Sequence, residues 1–211
     1  MTRVKLIAAS LVFFFGTGFG YEANFPLLLQ KRTDTAIEVL RTYRGHSSSS
    51  LHQKIFGAPV DGRVYLTYLK NRIRLLRFDY HEKECGKDTY ACSENYTVWL
   101  SPETPSSTDQ VPVVLRQMIL IHEARHSENI RDGWIHEACP RPFPEDPASA
   151  GEAECDYVVK GAYGVEYIFA KNLVNYCDNC GSKIKADAKI YAEIALDRVI
   201  GRAKSVLLND Y

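Results

Sequence analysis

The sequence predicts a helix-dominated α+β domain. Three observations carry that expectation: several long stretches repeat apolar residues at helical spacing, only two short runs have β character, and length and composition suit one globular unit. Of 211 residues, 45% are apolar and 25% charged, an ordinary balance with enough chain for a sizeable core. Lys plus Arg number 26, as do Asp plus Glu, so no overall field favours nucleic acid or an anionic membrane.

Residues 1–20 read as a signal peptide. Arg3 and Lys5 precede the apolar run from Leu6 to Phe15, and Gly18 and Gly20 are small enough to precede a cleavage point before Tyr21. The run is shorter than the ~20 apolar residues a membrane span needs. The expectation is therefore a cleaved leader, no stable membrane insertion afterwards, and an exported domain at 21–211, secreted or periplasmic.

Within that domain, Phe25 to Tyr43 carries Leu28, Ala36, Val39 and Leu40 at helical spacing and ends before Gly45. Ser47 to Ser50 reads as a loop. Arg63 to Ile73 looks helical, and Arg74 to Tyr80 alternates as a strand does. Asn95 to Leu100, rich in Tyr, Thr, Val and Trp, is a second strand stopped by Ser101-Pro102. Caps at Ser106 to Asp109 and a tolerated Pro112 introduce a helix running to about Asn129. A Pro-rich connection from Pro140 to Pro147 leads to a long helix from about Ala150 to Tyr176. A further helix spans Lys183 to Leu208, with Ile190, Ile194, Val199, Ile200, Val206 and Leu207 at packed spacing.

Six cysteines all lie in the exported part: Cys85, Cys92, Cys139, Cys155, Cys177 and Cys180. An even count in an oxidising compartment implies disulfides, and proximity in sequence favours 85–92, 139–155 and 177–180. The C-x-x-C pair Cys177/Cys180 could instead be a redox or metal motif. A zinc ribbon needs a second such pair, and a thioredoxin-type motif opens a helix, whereas Cys177 ends one. A structural staple is the expectation.

The chemistry concentrates in His122-Glu123-Ala124-Arg125-His126. On a helix, residues four apart share a face, so His122 and His126 can turn ring nitrogens to one point and supply half of a tetrahedral zinc site. Glu123 stands beside the first ligand, where it can serve as general base. Composition alone yields H-E-x-x-H in roughly one such chain in a hundred. The turns before it (Val113, Val114, Leu115, Met118 to Ile121) are apolar nearly all round, so the helix is buried, and buried histidines and glutamate are costly without a partner.

This arrangement resembles the zincin metallopeptidases: a strand, an apolar helix bearing His-Glu-x-x-His, and a second helix bearing acids. Gly151-Glu152-Ala153-Glu154-Cys155-Asp156 is similar to the E-x-E-x-D pattern of gluzincins. The resemblance implies that Glu152 is the third zinc ligand and that Asp156 orients a ligand histidine. Two alternatives stand beside it. Gly133-Trp134-Ile135-His136 is similar to the G-x-x-H of metzincins, displaced by four residues, which makes His136 a candidate ligand. Asp156 itself could ligate as in aspzincins, whose Tyr-Gly is matched by Tyr163-Gly164. A Cys139–Cys155 bridge would bring these candidates near one point. His136, Tyr157 and Tyr163 are candidate donors to an oxyanion, and Gly161 and Gly164 suggest a close helix approach.

The expected function is an exported metallopeptidase holding one zinc per chain and acting on a peptide or protein substrate, which pairs with the strand at Asn95 to Leu100. The rival readings are a non-catalytic exported zinc-binding protein and a thiol–disulfide protein centred on Cys177 and Cys180.

Overall fold

The computed structural model describes residues 13–14, 20–78, 91–101, 111–127 and 135–211. Most of the leader, the Cys85 end of the first cysteine pair, the caps at Ser106 to Asp109 and the residues Gly133-Trp134 lie outside these.

Leu29, Ala36, Ile37 and Leu40 recur three, four and seven residues apart, and they form the buried stripe of α1 (Leu27–Thr42). A short helix, α2 (Ser50–Phe56), then starts inside the stretch expected to be loop. The Ser49 hydroxyl accepts from the His52 N–H at its N-terminus, and Gly57 ends it at φ 82. Helix α3 (Gly62–Lys70) follows, capped by Asp61.

Five short strands form one sheet: β1 (Phe13–Phe14), β2 (Gly20–Tyr21), β3 (Leu75–Arg77), β4 (Ala91–Glu94) and β5 (Thr97–Leu100), in the order β1-β2-β3-β5-β4. The three central strands are parallel, while β4 runs antiparallel to β5. The expected strand from Asn95 begins only at Thr97, because Asn95 and Tyr96 take positive φ in the β4–β5 turn. The register aligns Tyr21, Leu76, Val98 and Ser93 across one face. The first three are buried in the main core, and Ser93 reaches the long helix packed on that face.

That helix is α4 (Val113–His126). Val114, Met118, Ile121 and Ala124 are fully buried, as expected of a segment apolar on most sides. It packs against α1 and α5 (Ala162–Tyr176), and α5 lies along α6 (Ser182–Asp197).

Two expected helices are corrected. The helix drawn from Ala150 begins only at Ala162, because Pro147–Ser149 forms a 3₁₀ turn and Gly151 sits at φ 87. Ala153–Cys155 is instead a strand, β7, paired antiparallel with β6 (Glu137–Ala138). The helix from Lys183 to Leu208 is two helices, since Gly201 at φ 63 separates α6 from α7 (Arg202–Asn209).

Seven helices and these small sheets make an α+β, helix-dominated domain among the described residues. Disulfides join Cys139 to Cys155 and Cys177 to Cys180, and Cys92 is also disulfide-bonded. Such bonds suit an oxidising compartment. No helix among the described residues is long and apolar enough to cross a membrane.

Candidate metal centre

His122 and His126 lie one turn apart near the C-terminus of α4, and the β6–β7 ribbon brings His136 to them. Their Nε2 atoms are 3.1 Å apart for His122 and His136 and 3.2 Å apart for the other two pairs. Among the described residues this is the group of His, Cys, Asp and Glu side chains whose donor atoms converge closely enough for a metal ion.

The opposite nitrogens of two rings are anchored. His122 Nδ1 faces Glu166 Oε2 at 3.0 Å, and His136 Nδ1 faces Asp156 Oδ1 at 2.9 Å. A carboxylate accepts from Nδ1–H, so these contacts leave the two Nε2 atoms as lone pairs aimed at one point. Burial holds the His122 ring neutral, its pKa lowered to about 3, with His136 beside it adding to the effect.

Asp156 is the hinge of the ribbon half. Its Oδ2 accepts from the Tyr163 N–H at 2.7 Å. Its backbone is bonded on both sides to the chain after α6, with Asp156 N donating to the Arg198 carbonyl and Ile200 N donating to the Asp156 carbonyl, each at 2.8 Å. Gly161 is glycine for a related reason: a Cβ there would run into the Asp156 carboxylate. The Cys139–Cys155 bond closes the ribbon over a 16-residue separation, which stabilises by about 3 kcal/mol on the chain-entropy account.

Tyr163 lies against two of the three histidines. Its ring stacks on His136 with centroids 4.7 Å apart and meets His122 edge-on at 4.6 Å. Tyr157, the other candidate phenol, spends its hydroxyl on the Ala138 carbonyl at 3.1 Å. Arg125 is buried and donates to the Lys160 carbonyl at 2.6 Å, which ties the end of α4 to the start of α5.

Glu123 is also buried, and its Oε2 has no hydrogen-bond partner. Burial pushes its carboxyl up to about 8; the Ser93 hydroxyl pulls the other way, and the nearby Glu166 adds to the rise. Glu166 is raised to about 8 as well, chiefly by burial. A cation among the imidazoles is the charge that would hold both carboxylates ionised.

Glu152, the ligand that the resemblance implies, stands outside this group. It is exposed, in the turn before β7, with its backbone engaged by Cys139 and Ser149. Glu152 and Asp156 do not share a helical face, because residues 151–155 form a turn and a strand. His136 is the third member of the converging group, and Asp156 holds its ring. Glu166 was not foreseen; the available signal is a lone acid in the otherwise apolar start of α5 (Ala162 to Ala170).

No protein-family model, no curated protein and no solved structure matches this chain.

Proposed function

We propose that His122, His126 and His136 hold one zinc ion and that the protein is an exported zincin-like metallopeptidase with Glu123 as its base. The observation that carries this reading is the convergence of three imidazole Nε2 atoms at 3.1–3.2 Å. That spacing is close to the ~3.3–3.4 Å edge of a tetrahedron with zinc–nitrogen bonds of about 2.0–2.1 Å. Three imidazole nitrogens without a thiol form a donor set typical of catalytic zinc, whereas structural sites close all four positions with protein ligands.

When bound, zinc supplies Lewis acidity, polarising a carbonyl oxygen and making water a better nucleophile at neutral pH. Glu123 Oε2 takes a proton from the attacking water and returns it to the leaving amine. Glu166 and Asp156 fix the rings of His122 and His136, so neither reorients during turnover. Ser93 donates to the Glu123 carbonyl at 2.9 Å and ties β4 to the helix beside the base. Among the described residues β4, not β5, is the outer strand, so we place an extended peptide along β4 rather than along Thr97 to Leu100.

A non-catalytic zinc site would use Glu166 and Asp156 to hold the ligand rings but has no need of Glu123, whose buried Oε2 makes no hydrogen bond. The thiol–disulfide reading is weakened by the setting of Cys177–Cys180. Between those two cysteines, Asp178 N donates to the Arg44 carbonyl and Asn179 Nδ2 to the Thr42 carbonyl, each at 2.8 Å, clamping the end of α5 to α1.

Metal analysis of the purified protein, paired with peptide hydrolysis by Glu123→Gln, tests the reading. About one zinc per chain is expected in both proteins, with hydrolysis lost in the variant because the amide cannot accept the proton. A wild type without bound metal, or a variant with full activity, overturns it.

A further inference from the structure

We infer that the Cys139–Cys155 disulfide gates tight metal binding, so that the third ligand is firmly positioned only once this bond has formed; the inference rests on the metal reading above. The two halves of the site have separate supports. His122 and His126 stand on a helix buried in the main core. His136 and Asp156 flank the β6–β7 ribbon, immediately before β6 and immediately after β7, and the ribbon's buried apolar cluster is Cys139, Phe143 and Cys155, backed by Ala150 and Ile200. Two of those three buried residues are the disulfide itself.

The bond's position couples it to the ligand. Cys139 lies three residues after His136, and Cys155 immediately precedes Asp156, which holds the His136 ring. The strands that it closes are two and three residues long, with an irregular register between Glu137 and Ala138. Segments that bury so little open independently of the main core. Without the bond, the ribbon loses its covalent staple and His136 is held only through Asp156, itself pinned by Arg198 and Ile200, so the ring sits less firmly against α4 while α4 keeps its packing.

The balance of the gating step is simple. Two thiols, Cys139 and Cys155, are oxidised by a disulfide-bearing oxidant. One sulfur–sulfur bond forms in the chain and one breaks in the oxidant, which takes up two electrons and two protons as a pair of thiols. In a reducing compartment the domain holds metal weakly; in an oxidising one it holds metal tightly. Peptidase activity is thereby confined to the exported protein.

The test is zinc affinity, measured by chelator competition on the full-length mature chain, for wild type, Cys139→Ser/Cys155→Ser and Cys177→Ser/Cys180→Ser, with helix content followed by circular dichroism. The first double variant keeps its helix content and loses ~10–100-fold in zinc affinity, the range found when a ligand loses its outer support. The second keeps wild-type affinity. Should the serine variant fail to fold, Cys139→Val/Cys155→Ala, which restores apolar volume around Phe143, carries the test. Wild-type zinc affinity in a folded 139/155 variant overturns the inference. Loss of the whole fold in both 139/155 variants also overturns it, because the bond then supports the core rather than the ribbon. A disulfide-bonded wild type that binds no zinc sinks the metal reading instead.

Discussion

Helix α4 presents His122 and His126 from a segment whose Val114, Met118, Ile121 and Ala124 are fully buried in the main core, whereas His136 immediately precedes a two-residue strand whose local buried cluster is Cys139, Phe143 and Cys155. The first half is positioned by packing, the second by one disulfide and by the backbone bonds that pin Asp156 to the Arg198–Ile200 segment. The contrast teaches that the two halves of one side-chain cluster can rest on very different amounts of buried surface, so on the proposed metal reading affinity can change where the global fold does not.

The largest effect separates the halves. Ile121→Ala empties a site in the main core and is expected to cost about 2–5 kcal/mol of global stability in chemical denaturation. Phe143→Ala removes a larger ring from the ribbon cluster, yet it should shift the unfolding midpoint less and weaken zinc binding more. Equal midpoint shifts would remove the distinction between the halves.

Acid should reveal the main-core half next. His52 is fully buried, with Nδ1 at 3.0 Å from the Ala58 carbonyl and Nε2 at 2.7 Å from the Tyr65 hydroxyl, and burial lowers its pKa to about 4. A histidine in the unfolded chain titrates near 6.5, so as pH falls the unfolded state takes up the proton first. Stability is complete above about 6.5 and is lost between there and about 4, by roughly 3 kcal/mol at 1.36 kcal/mol per pKa unit. Denaturation of metal-free protein across this range should show that loss, reduced in His52→Gln. An identical pH dependence in both proteins would exclude His52 as the source.

Gly161→Ala should produce the smallest shift, confined to the ribbon half. The backbone at Gly161, φ −64, accepts alanine, but its Cβ would press on the Asp156 carboxylate. Zinc affinity is expected to fall ~10–100-fold through misplacement of His136, with little change in thermal midpoint. Unchanged affinity would show that Asp156 does not position the ring.

The same contrast explains what was legible in the sequence. His122, Glu123 and His126 depend on local periodicity: four residues apart on an apolar helix, their relative placement follows from the helix itself. The helix-dominated α+β class was legible on the same grounds, although in α1 only Ala36 and Leu40 of the expected stripe are buried; Leu29 and Ile37 complete the buried face, and Leu28 is exposed. His136 depends on pairing between residues 137–138 and 153–155, which no local spacing encodes, and the acids at 152 and 156 mimic a helical pattern on a stretch that Gly151 and the disulfide make extended. Glu166 stayed hidden because its partner His122 lies 44 residues away in sequence.

The most direct test of the three-histidine site is zinc titration of wild type, His136→Ala and Glu152→Ala under chelator competition. His136→Ala should lose zinc affinity by far more than the ~100-fold ceiling for an outer-shell change, because it removes a direct bond, and Glu152→Ala should bind as wild type does. Zinc retained in His136→Ala and lost in Glu152→Ala would contradict the account.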